Sequence, residues 1–202
     1  MEPIRTRLPT EARRAEIVAA VLQLAAERSP AEITTGDIAK ALNLTQGAVF
    51  KHFPTKEAIW LSVLDWVEEN LLAALERAGQ DGATPLQGLQ QVFMTHVQFV
   101  IRYPGVPRII FNDLQRPDDT PLKQRVRRLL GGYRQILARL LAQAEKQRTI
   151  AGGLDLGAAA ALFIGTVQGL VMQAMLAGSA GQMDGEARRV FALYLRAIRE
   201  PS

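Results

Sequence analysis

The 202-residue sequence predicts an all-α protein, an N-terminal three-helix helix-turn-helix head joined to a larger C-terminal helical bundle, with about nine helices in all. Three observations predict it. Apolar residues recur at i, i+3, i+4, i+7 spacing through most of the chain, Thr or Asp caps followed by Pro or an acidic residue mark repeated helix starts, and no alternating run reads as a strand. Composition agrees: 48% apolar and 22% charged residues, with 16 Gly and 10 Pro, describe a globular chain with a real core and exclude disordered or fibrous classes.

Thr10-Glu11, followed by Ile17, Val18, Val21, Leu22 and Ala25, predicts a first helix capped by Thr10 that stops near Ser29-Pro30, because Pro disfavours helical geometry in the residue before it. A second, short helix starts at Thr34 or Thr35, with Asp37 completing a capping box, and ends near Leu42-Asn43. A third runs from Thr45 to about Phe53. A fourth, capped by Thr55, carries Ile59, Val63, Trp66, Val67, Leu71 and Leu75 on one side and gives way to a Gly-containing break over Gly79 to Thr84.

Thr84-Pro85 and Thr120-Pro121 are each a cap followed by Pro at the first helical position, opening helices of roughly 18 and 27 residues. Pro104, Pro107 and Pro117 leave room between them for a short helix around Arg108 to Leu114. Asp155 opens an uncharged helix from Leu156 to about Gly178, and Gly185 to Glu200 forms the last.

Several chemistries are excluded early. With no Cys and only His52 and His96, thiol nucleophiles, disulfides, thiolate zinc sites and His-rich metal sites fall away, and no metal or cofactor is expected. Among four Ser there is no G-x-S-x-G, and the chain has no phosphate loop, no G-x-G-x-x-G and no H-E-x-x-H, so the protein is not expected to be an enzyme. Met1-Glu2-Pro3-Ile4-Arg5 opens without the apolar run of a secretory signal, which makes cytoplasmic residence the expectation.

A net charge of +4 and a pI near 9.8 invite a nucleic-acid partner. The excess sits in residues 100–150, which carry 11 basic and 4 acidic residues, whereas residues 1–60 carry 8 and 7, and residues 61–99 carry 1 and 5. Spacing between Thr34 and Lys56 is therefore a better guide than the sum. Two short helices crossing steeply need apolar residues at Ile38, Leu42, Leu44 and Val49, a small one at Ala39, and a turn residue tolerant of left-handed geometry at Asn43; all six places are filled suitably.

The run Ile33-Thr-Thr-Gly-Asp-Ile-Ala-Lys-Ala-Leu-Asn-Leu-Thr-Gln-Gly-Ala-Val-Phe-Lys-His-Phe-Pro-Thr-Lys-Glu-Ala-Ile59 resembles the DNA-binding head of the TetR family of transcriptional regulators, over roughly residues 10 to 66 and most diagnostically from Gly47 to Glu57. The resemblance implies a homodimeric, ligand-responsive regulator with a DNA-binding domain over 1–55 and an effector-binding and dimerisation domain over 56–202. Phe50 departs from the Tyr common in this family, so a phenolic hydrogen bond to phosphate is lost there.

The residues support that chemistry directly. Thr45 caps the recognition helix; Gln46 is suited to bidentate pairing with adenine; Gly47 and Ala48 are small enough for close approach to phosphate or a thymine methyl; Phe50 offers an apolar contact. Lys51, Lys56, Thr34, Thr35 and His52 are candidate backbone contacts, with Lys40, Arg13 and Arg14 as further ones. Arg5 and Arg7 fit either a solvated tail or a minor-groove arm.

In the body, Trp66, Phe93, His96, Phe99, Phe111, Tyr133, Phe163, Gln168 and Met172 are candidate pocket residues for a small, mostly apolar or aromatic effector, with Met94 and Met175 beside them. The uncharged helix could span a membrane by length, but Gln168 and Gln173 sit mid-segment and no aromatic belt flanks it, so no membrane partner is expected. A helix apolar all round also suits a dimer, with Ala161, Gly165 and Gly169 allowing close approach and Phe191, Tyr194, Leu195 and Ile198 supplying a second interface helix. The arginines after Pro121 read as a solvated face or a site for an anionic partner. The rival to double-stranded DNA binding is a helical dimer that takes a small molecule or a partner protein without DNA.

Overall fold

A computed structural model describes residues 9–178 and 181–199, and among them nine α-helices and no strand. In order they are α1 (Thr10–Glu27), α2 (Thr35–Ala41), α3 (Gln46–Phe50), α4 (Lys56–Asp81), α5 (Pro85–Arg102), α6 (Gly105–Leu114), α7 (Pro121–Lys146), α8 (Leu156–Leu176) and α9 (Met183–Ile198). Arg5, Arg7 and Glu200 lie outside the described residues.

The caps read from the sequence close as hydrogen bonds. Thr34, Thr45, Thr55, Thr84, Thr120 and Asp155 each accept from the backbone N–H three residues on, at 2.9 to 3.2 Å. Thr10 does not cap: it is the first helical residue of α1, Pro9 stands at the N-cap position, and no side chain caps that end. The break after α4 is also shorter than expected. Gly79 and Gln80 remain helical, because Gly79 is a packing position where an added Cβ would lie 3.3 Å from Leu140 and 3.5 Å from Val92. α3 ends three residues early, at Phe50, and α6 starts three residues early, at Gly105.

The chain forms two compact units: one gathers residues up to Trp66 with Tyr103–Arg125, the other Val67–Arg102 with the chain from Val126 onward. Unit one is built on Ile17, Val21, Ala25, Ile33, Ile38, Val49, Phe53, Ile59 and Val63, all at most 1% exposed. α6 packs on α1 there, with Gly105 set so close that a Cβ would meet the Leu22 carbonyl oxygen at 2.4 Å.

Unit two has an aromatic centre. Phe163 lies edge-on to Phe93 (5.2 Å), Tyr194 (5.4 Å), Tyr133 (6.2 Å) and Phe191 (6.2 Å), where α5, α8 and α9 pack together. Phe191, Tyr194 and Ile198, expected at a dimer seam, are instead inside this unit at 2, 4 and 2% exposure. Their spacing with Ala187 forms the one stripe of α9 that its own protomer covers.

Candidate nucleic-acid interface

A cap, a turn and two buried side chains hold the head's second and third helices. Thr34 forms the full capping box with Asp37: its N–H and hydroxyl both donate to the Asp37 carboxylate (2.8 and 2.6 Å), and its hydroxyl oxygen accepts the Asp37 N–H. These hydrogen bonds from Thr34, with the Arg28 guanidinium behind them, hold the Asp37 carboxyl below the usual carboxylate value.

At the other end of α2, Asn43 takes φ 51°, its N–H donates to the Lys40 carbonyl and the Leu44 N–H to the Ala39 carbonyl. That is the Schellman arrangement, and it turns the chain sharply into α3. The left-handed residue falls at the position read from the sequence. Val49 and Phe53 then anchor α3 in the core.

What this frame leaves outward is most of α3 and its two capping residues. Thr45, Gln46, Gly47 and Lys51 are exposed, and Phe50 is 41% exposed although Val49 beside it is fully buried. A Cβ on Gly47 would meet nothing within 4 Å, so packing does not require glycine there and its bareness faces outward. Ala48 is half-buried, its N–H held by Thr45.

Other predicted residues are engaged internally. Thr35 is only 9% exposed, and its hydroxyl oxygen accepts from Gln46 Nε2 at 2.5 Å. Both Thr34 donors serve Asp37. Lys56 lies over the Trp60 ring, 5.6 Å from its centroid, and reaches the Ala31 carbonyl at 3.5 Å, leaving further ammonium donors free for phosphate. His52 is half-buried, with Nδ1 buried and lacking a hydrogen-bond partner. Arg13 pairs with Glu16 at 2.6 Å. Arg14 packs over Phe53 at 4.5 Å and donates to the His52 carbonyl, bracing the end of α3 rather than standing free.

The pocket candidates do not converge on one place. Phe93, Tyr133 and Phe163 share the interior of unit two, where His96 Nδ1 lies 3.2 Å from the Tyr133 hydroxyl. Burial pushes the His96 imidazole down to about 4 and the Tyr133 and Tyr194 phenols up. Phe99 is half-buried on α5; Gln168 and Met172 are exposed on α8; Trp66 and Phe111 belong to unit one, where Trp66 packs edge-on to Tyr103 at 5.0 Å.

Of the interface candidates, Ala161 and Gly165 are exposed on α8, Gly169 is half-exposed, and Leu195 is half-buried on α9. Added methyls at Gly165 and Gly169 would meet nothing within 4 Å. Around them stand Leu162 (53% exposed), Met172 (44%), Leu176 (81%) and Leu193 (56%). α8 is long and apolar enough to cross a membrane by length and composition, yet Ala159, Ala160, Phe163, Ile164, Val167, Leu170 and Val171 are buried within the protomer.

Three arginines of α7 form ion pairs that the sequence alone does not assign. In unit one Arg125 meets Asp65 at 3.1 Å; in unit two Arg128 meets Glu68 at 2.6 Å and Arg139 meets Glu76 at 2.7 Å. The Arg139 hydrogen bond lowers the Glu76 carboxyl. The acidic excess of residues 61–99 was the available clue, since Asp65, Glu68 and Glu76 recur at helical spacing along α4.

Comparison with known proteins matches two separate stretches of the chain. Residues 17–63 match bacterial regulatory proteins of the tetR family, and residues 115–191 match a tetracyclin repressor-like C-terminal domain. The chain is similar to the nucleoid occlusion factor SlmA of Vibrio cholerae, 25% identical over 158 residues that cover 78% of this chain and 81% of that one. It is also similar to the probable acrEF/envCD operon repressor of Escherichia coli K12, 26% identical over 177 residues that cover 83% and 78%. The fold resembles that of FadR from Bacillus subtilis, solved in complex with stearoyl-CoA, with TM-score 0.80 at 21% identity over 92% of this chain and 99% of the other.

Proposed function

This chain belongs to the TetR family of bacterial regulatory proteins, a DNA-binding regulator rather than an enzyme, and we propose that it is a cytoplasmic homodimeric repressor released from a near-palindromic operator by a small, mostly apolar or aromatic effector. The observation that carries the DNA half is the exposure of most of α3 and both its caps, where Thr45, Gln46, Gly47, Phe50 and Lys51 face outward on a helix fixed by the Asn43 turn. In this reading residues 1–55 bind DNA, with Gln46 reading a base edge while Lys51 and Lys56 meet phosphates.

The open apolar face of α8 and α9, with Ala161, Gly165, Gly169, Leu176 and Leu193, supports a two-fold seam to a second copy. Two heads about a two-fold axis then take half-sites roughly 34 to 36 Å apart. The effector half rests on the rings of unit two, where His96 and Tyr133 add polar groups to an aromatic interior and His96 and Phe99 keep part of their surface accessible. Effector binding in residues 56–202 lowers operator affinity by favouring a conformation with weaker DNA contacts.

Gel shifts against the chain's own upstream region test this. A salt-sensitive, sequence-selective shift is expected; Lys51→Ala should weaken all duplexes alike and lower the salt slope by about one, whereas Gln46→Ala should cost about 1 to 3 kcal/mol at a single base position. Equal losses on specific and random DNA for both variants would overturn the assignment. A ligand that raises the melting temperature without changing operator affinity would overturn the effector half.

A further inference from the structure

α2 and α3 both start at a Thr cap, Thr34 and Thr45, so the first residue of each helix is Thr35 and Gln46. The Asn43 turn brings these two first residues together. Gln46 is exposed, whereas Thr35 is 9% exposed and in no position to meet DNA through its own side chain. The link between them is short, with Gln46 Nε2 donating to Thr35 Oγ1 at 2.5 Å.

We propose that Thr35 is a positioning residue that fixes which way the Gln46 carboxamide faces, and so sets adenine over guanine at one base pair in each half-site. This rests on the reading of Gln46 as a base-contacting residue.

The chemistry follows from the planarity of the amide. Its NH2 group has two hydrogens and its oxygen has none. With one hydrogen given to Thr35, the other N–H and Oε1 remain to be presented. Adenine offers N7 as an acceptor and its N6 amino group as a donor in the major groove, and this donor–acceptor pair matches what the held amide presents. Guanine offers two acceptors, N7 and O6, so a held amide sets Oε1 against O6 with no hydrogen between them. Turned over, the amide would present its NH2 group to either guanine acceptor and take the Thr35 O–H at Oε1, so the direction of this one hydrogen bond, Nε2 donating to Thr35, is what favours adenine. The ordering of a long, rotatable side chain is also completed in the free protein instead of at the moment of binding.

The test uses the full-length protein and duplexes selected by it from a randomised pool, followed by a defined pair that differs by A·T against G·C at the selected position. Wild-type protein should prefer the adenine duplex by about tenfold. Thr35→Val should bring that ratio close to one while leaving the salt slope unchanged, Thr35→Ser should keep it because the hydroxyl is retained, and Gln46→Ala combined with Thr35→Val should lower it no further than either alone. Thr35→Ala, which removes the hydroxyl without a branched side chain at the helix start, serves if the Val variant does not fold.

A Thr35→Val or Thr35→Ala protein that binds every duplex more weakly but keeps the wild-type ratio would overturn the proposal and make Thr35 a packing residue. If Gln46→Ala also keeps the ratio, it is the base-reading role of Gln46 that fails.

Discussion

Replacing Gly165 by Ala is a perturbation whose sign depends on whether a second copy covers α8. Gly165 lies inside the 21-residue α8, and an added Cβ meets nothing within 4 Å in its own protomer. For a lone chain the change is a gain: glycine inside a helix is less stable than alanine by about 0.5 to 1 kcal/mol, which for a chain of this length raises the melting temperature by about 1 to 4 °C. A two-fold seam reverses the outcome. Each interface then receives two new methyl groups where small residues allow close approach, and overpacking of this kind costs about 1 to 3 kcal/mol. Helix propensity acts equally on free and associated protomers, so the association constant registers only the seam and should weaken about 5- to 150-fold. Sedimentation equilibrium together with melting curves over a hundredfold range of protein concentration separates the two cases. A melting temperature raised at every concentration, with association unchanged, would refute the α8 seam.

Gly105→Ala should act within unit one, because its Cβ would stand 2.4 Å from the Leu22 carbonyl and 3.0 Å from Ala25 Cβ, forcing α6 off α1. As the first residue of α6, Gly105 regains little helix propensity, so overpacking leaves about 1 to 3 kcal/mol of destabilisation, a fall of about 2 to 12 °C in melting temperature; an unchanged value would contradict the close crossing. His96 gives a pH test. Burial holds its folded imidazole at about 4 against an ordinary 6.5, so between those values the unfolded chain binds the extra proton and stability falls as pH falls. Between pH 7 and 5 wild-type protein should lose about 1 to 2 kcal/mol through this group, allowing for its partial exposure, and Gln in its place should remove that loss. Urea midpoints of the two proteins at both pH values measure it, and parallel slopes would show that His96 is not held neutral by the fold.

The legible part of the site was the part set by neighbours in sequence. Thr45 as a cap, Asn43 as the left-handed residue and Val49 as core follow from which residues can occupy such positions, and the structure has all three. The link from Gln46 to Thr35 was not legible, because it spans 11 residues and depends on the angle between two helices. Arg14 was similarly obscure: on a helix facing solvent an arginine reads as free charge, and only the fold brings it over Phe53.

The sequence by itself determined the class, the order of the helices and the starts of the six that a Thr or Asp side chain caps, since a cap bonds to a backbone group three residues away and needs nothing distant. Periodicity likewise marked one apolar stripe on α9 and apolar surface all around α8. What it could not decide is which surface covers which. A stripe records that burial is needed, not whether the protomer or a partner supplies it, and that was settled by tertiary packing alone: Phe191, Tyr194 and Ile198 turned inward against α5 and α8, Gly79 became a contact with Leu140 and Val92 instead of a break, and the arginines of α7 found the carboxylates of α4.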